Sequence, residues 1–152
     1  MGKRRHGMPD KFQWEGFAVD ERPASEDAAA AAMLRFVKMF VIKSIREPVQ
    51  AKLLHKDPRR RSGAIHNLYM SIDPALQAEL KGNTGFPQHL KERFGDLRGI
   101  ITDGWDAYHV TIAGAAVHAA ESGLDAIFIA DVEPIALFFP DDGQPPILCS
   151  RR

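Results

Sequence analysis

The chain has 152 residues, 45% hydrophobic and 26% charged, with equal numbers of Lys/Arg and Asp/Glu. That composition suits one folded domain burying roughly 70% of its unfolded surface, and it excludes a wholly disordered chain. Cys149 is the lone cysteine and the basic start leads into no apolar run, so neither a disulfide scaffold nor a signal peptide is expected, and a cytoplasmic location is.

Residues 1–24 read as an irregular, partly disordered tail, with Phe12, Trp14 and Phe17 as candidates for a short edge strand or a segment pinned to the core. Residues 25–152 read as a single globular domain. Ser25 suits a helix cap, with Glu26 and Asp27 complementing the positive end of the helix dipole. The helix is expected over about 26–46, stopping before Pro48. Its Ala28–Ile45 stretch is apolar but carries Arg35, Lys38 and Lys43, and mid-span charges cost about 2.5–3.5 kcal/mol each, so no membrane span is expected. The pairs Glu47-Pro48, Asp57-Pro58 and Asp73-Pro74 predict short helices near 48–56, 58–70 and 74–81. Another is expected from Pro87 to Phe94, closed by Gly95.

After Gly99 the pattern changes. Residues 99–102 predict a strand, Asp103-Gly104-Trp105-Asp106 a turn, and 107–122 a small-residue helix closed by Gly123. The apolar runs 126–130, 135–139 and 146–150 predict strands, the last two joined by the loop 140–145. The expected fold is therefore α+β: a helical N-terminal half packed on a small, mostly antiparallel C-terminal sheet.

The charge is unevenly spread. Residues 1–66 hold 14 Lys/Arg against 8 Asp/Glu, and residues 67–152 hold 6 against 12. Such asymmetry bears on association rather than on fold. At 100° per residue, Arg35, Lys38, Lys43 and Arg46 share one arc of the long helix about 140° wide, with Met39 and Ile42 inside it. An apolar centre with a cationic rim resembles a partner-binding stripe, fitting a second copy of the chain or an acidic protein. Lys52, Lys56, Arg59, Arg60 and Arg61 form a second basic segment with the footprint of nucleic-acid binding. Against it stand a pI of about 7.0 and the lack of aromatic residues between Phe40 and Tyr69.

Signals for catalysis are weaker. Asp103, Asp106 and His109, with His118 beyond, could hold a metal or share protons, but their spacing matches no metal signature. On the expected helix, Asp106 serves as its cap, and His109 and His118 fall about 180° apart. Cys149 sits beside Ile147 and Leu148, where a buried inert thiol is the ordinary case. No phosphate-binding loop, dinucleotide fingerprint or nucleophile elbow occurs, so the sequence implies no cofactor, no metal and no catalytic residue. The expectation is a non-enzymatic interaction or regulatory module, with nucleic-acid binding through residues 52–61 as the alternative and, third, an enzyme without a recognisable signature using Asp103, Asp106 or His109.

Overall fold

The computed structural model describes residues 22–142 and 144–151; the expectations for Phe12, Trp14 and Phe17 lie outside them. Seven strands form one sheet: β1 (Arg22–Pro23), β2 (Gln77–Glu79), β3 (Arg98–Thr102), β4 (Ala107–Thr111), β5 (Ala126–Ala130), β6 (Ile135–Phe139) and β7 (Ile147–Ser150). Their spatial order is β1-β4-β3-β5-β6-β7-β2, with every neighbouring pair antiparallel. The α+β class holds. The sheet is nonetheless larger than expected, because β1 and β2 add an edge strand at each side and β4 joins β3.

Helices cover both faces. On one lie α1 (Glu26–Phe40), α2 (Arg46–Leu53) and α3 (Pro58–His66); on the other lie α4 (Pro87–Phe94) and α5 (Ile112–Ser122). Alternate residues of each strand serve the two cores. Ile127 and Ile129 of β5 pack with Phe36, Phe40 and Ile65, while Ala126, Phe128 and Ala130 pack with Leu90 and the alanines of α5. A strand buried on both faces has no polar side to show, which is why 126–130 reads as a continuous apolar run. Among the described residues no helix is long and apolar enough to cross a membrane.

The local signals for helix starts work. Ser25 accepts from the Ala28 N–H, Asp57 from the Arg59 N–H and Asp73 from the Ala75 N–H. The long helix, however, ends at Phe40 rather than near residue 46. Val41 turns extended and bridges Ile72, the Ile42 N–H donates to Ser71 O, and the Asp73 N–H donates to Phe40 O. A neighbouring segment thus satisfies the backbone that another helical turn would have used.

Two further expectations are corrected. Residues 74–81 form a single 3-10 turn (Pro74–Leu76) and then β2, because β7 offers an open edge that Gln77–Glu79 fill. Residues 107–122 divide at Thr111, whose hydroxyl accepts from the Gly114 N–H and so starts α5 at Ile112. Before it, Tyr108, Val110 and Thr111 have the aromatic and β-branched character of a strand, and Ala107–Thr111 pair with β3.

Candidate functional site at the sheet end beneath α3

One end of the sheet gathers the buried polar chemistry. Among the described residues, the buried polar side chains are Thr102, Asp103 and Asp125, at the end of β3 and just before β5. Since β3 and β5 are antiparallel and Thr102 pairs with Ile127, these three belong to the same end. Helix α3 lies across it.

The middle of α3 is fixed to the β3–β4 turn. Arg61 donates through Nε to Gly104 O (2.9 Å) and through Nη1 to His55 O (2.8 Å) and Lys56 O (3.2 Å). Gly104 has φ +93°, and a Cβ there would stand 2.5 Å from Ser62 N. Only glycine both adopts this conformation easily and admits the helix backbone so close. Asp103 Oδ1 accepts from the Trp105 N–H (2.8 Å) and the Asp106 N–H (2.9 Å), and the Thr102 hydroxyl donates to Asp106 O (2.8 Å). Asp103 therefore builds the turn, as an Asx-type side chain does.

Beside this turn opens a cleft of about 570 Å3, bounded by the start of α1, the end of α2, Lys56 and the turn itself. Met33, Leu53 and Ile65 contribute its buried apolar side chains. Glu26, Asp27 and Asp106 bring exposed carboxylates, and Trp105, 49% exposed, stands among the lining residues. Lys56 and Arg61 bring the cations, but Arg61 is already shared among three carbonyls. The remaining charge at the rim is mainly negative.

At its C-terminal end α3 meets a second polar group. His66 Nδ1 donates to Asp125 Oδ2 (2.5 Å), and Asp125 Oδ1 accepts from the Asp141 N–H (2.8 Å). Ligand atoms of His66, Asp125 and Asp141 all lie within 4.8 Å of one another. The hydrogen bond and charge of Asp125 raise the His66 pKa above 6.5, opposed by partial burial and aided by Asp141 and Asp142. Sequence spacing gave no sign of this group. His66 and Asp125 are 59 residues apart, and Asp125 and Asp141 are 16 apart.

The residues singled out from sequence are scattered. Arg35 donates to Ala130 O (2.6 Å) and Arg46 to Val41 O (3.0 Å). Met39 is half-buried against the α1–α3 core, and Arg151 donates to its carbonyl. Ile42 and Lys43 lie beyond the end of α1, so Arg35, Lys38, Met39, Ile42, Lys43 and Arg46 do not share one helix face. In the second basic segment, Arg59 stands 3.8 Å from Asp57, while Lys52 and Arg60 share a smaller cavity of about 320 Å3 with Asn67 and Ser71. His109 belongs to β4, opposite Ile100, and the His118 ring packs tilted against Tyr108 with centroids 5.0 Å apart. Asp106 does not cap α5, since Thr111 does. Cys149 is fully buried, and burial pushes its thiol up to about 12.

No protein-family model matches the chain, and no curated protein or solved structure does either.

Proposed function

We propose that the protein is a binding module, and that its ligand seats in the cleft between the start of α1 and the β3–β4 turn. The observation that carries this reading is the cleft's make-up: buried Met33, Leu53 and Ile65 inside, with Glu26, Asp27 and Asp106 exposed around them. Its volume of about 570 Å3 falls within the usual range for ligand sites, roughly 300–1,000 Å3. The ligand class that fits is a peptide segment or small molecule with an apolar body and a cationic group. Exposed Trp105 adds an aromatic face for either part. The cleft's two aliphatic hydroxyls, Ser25 and Thr102, favour binding over nucleophilic catalysis, because both have structural duties. Ser25 caps α1, and Thr102 donates to Asp106 O while accepting from the Gly104 N–H.

The test uses Trp105 as the reporter in a Trp14→Phe background, which leaves it the only indole. Short peptides pairing Arg or Lys with Leu or Phe should change its fluorescence saturably, and Asp106→Asn should weaken that response. An equal response from Glu-containing counterparts, or no saturable response, would overturn the reading.

A second reading has its own observation. Lys52 and Arg60 border one cavity together with Asn67 and Ser71, an arrangement suited to a phosphate group. Nucleic-acid binding there should fall steeply with salt and lose slope in a Lys52→Ala/Arg60→Ala variant. A salt-independent gel shift, or an unchanged slope in the variant, would remove this reading.

A further inference from the structure

The carboxylates of Asp125 and Asp141 approach each other at the end of α3, with the imidazole of His66 beside them. The three donors come from separate elements: the end of α3, the residue before β5 and the β6–β7 loop. Asp125 is buried, and both its oxygens are oriented, one by His66 and one by the Asp141 N–H. The Asp141 N–H is a backbone group that can stay on Oδ1 when an ion binds, the kind of outer-shell hydrogen bond that orients a ligating carboxylate in metal sites.

We propose that His66, Asp125 and Asp141 bind a divalent first-row transition cation, with water completing its coordination. One imidazole and two carboxylates form a mixed nitrogen–oxygen set. It suits Mn2+, Fe2+ or Zn2+ better than Mg2+ or Ca2+, which prefer oxygen alone. Around an ion with bonds of about 2.1 Å, neighbouring donors stand about 3.0–3.4 Å apart. Separations of up to 4.8 Å therefore have to contract for all three donors to reach one ion. The direct contact of 2.5 Å between His66 and Asp125 must open for the ion to enter. His66 can make that movement, since its side chain is 63% exposed and ends a helix. The ion then takes the place of the proton on His66 Nδ1, which passes to solvent, and Asp125 stays in place as the buried anchor.

The experiment titrates Mn2+ into the chelator-treated, dialysed full chain and reads free ion by electron paramagnetic resonance. One ion per chain should bind. His66→Ala and Asp141→Asn should each lose at least about tenfold in affinity, as removal of ligands or their close supports does. His66→Ala also removes a hydrogen bond to buried Asp125, so a melting curve of each variant, taken beside the titration, separates lost affinity from lost stability. Asp125→Asn is the weaker test, because its carboxylate also holds the β6–β7 loop. A wild type that leaves the Mn2+ signal undiminished would overturn the proposal and make His66–Asp125 a tether. Variants that bind as tightly as wild type would overturn it too, by placing the ion elsewhere.

Discussion

The α4–α5 layer meets the sheet through small side chains, Ala115, Ala116 and Ala119, set against Ile101, Phe128, Leu137 and Phe139. The α1–α3 layer meets it through Met33, Phe36, Phe40, Leu53 and Leu68, set against Ile100, Ile127, Ile129 and Phe138. Small-on-large packing lets a helix lie close to a sheet and leaves little space. The second layer uses large groups on both sides, and at one end it leaves a cleft lined in part by buried Thr102. Both described cavities are bordered by residues of that layer, and so is the His66–Asp125–Asp141 group. The contrast suggests a division of labour: one layer closes the core, and the other also presents chemistry.

The contrast can be broken first in the cores. Phe36→Ala should cost about 3–5 kcal/mol in the α1–α3 layer, where a fully buried ring is lost. In the α4–α5 layer the damaging change is the reverse. Ala116→Leu should cost about 1–3 kcal/mol by overpacking. Denaturant midpoints at constant m-value measure both, and a tolerated Ala116→Leu would mean the small-residue layer is not tightly packed.

Glycine sharpens the comparison next. Gly104 and Gly123 both have positive φ, +93° and +71°, but only Gly104 has backbone atoms where a Cβ would go. Gly123→Ala should cost about 1–2 kcal/mol, the strain of the left-handed conformation alone. Gly104→Ala should cost about 3 kcal/mol or more, because α3 must also move away from the turn. Equal costs from the same unfolding titration would show that α3 is not seated on Gly104.

Cys149 gives a kinetic measure of the same packing. With its thiol at about 12, the native protein should react with a thiol reagent far more slowly than the unfolded chain at pH 8. Fast native labelling would show that the β7 region opens readily. The smallest effect concerns pH. His66 has a folded pKa above 6.5, so its contact with Asp125 adds stability fully below pH 6.5 and loses it as pH rises through the raised value. In chelating buffer, wild type should exceed His66→Gln by under about 1 kcal/mol at pH 5.5, since His66 is largely in solvent, and by nothing at pH 9. A difference that grows with pH would contradict that sign.

Much of the fold was legible where signals are local. Ser25, Asp57 and Asp73 cap their turns as their side-chain chemistry suggests, and the unbroken apolar run 126–130 marks a strand buried on both faces. What failed depended on distant partners. The stop at Phe40 needs the Ser71–Asp73 segment, β2 needs the open edge of β7, and β4 needs β3. The helical arc through Arg46 failed with that stop. The candidate sites were hidden for the same reason. The cleft brings together residues 23–33, 53–65 and 102–108, and the His66–Asp125–Asp141 group joins three elements with no shared motif. Asp103 was legible as a turn residue, but the seat it builds for α3 was not.

The central claim is that the open end of the α1–α3 layer receives a cationic, partly apolar ligand. Nitrogen-15 NMR of the full chain, titrated with an Arg–Leu peptide, tests it most directly because it reports location. Saturable shifts should be confined to the amides of residues 24–30, 53–56 and 102–108, with α4 and α5 unmoved. Shifts centred on α4 and α5, or on Asn67 and Ser71 beside the smaller cavity, would contradict it.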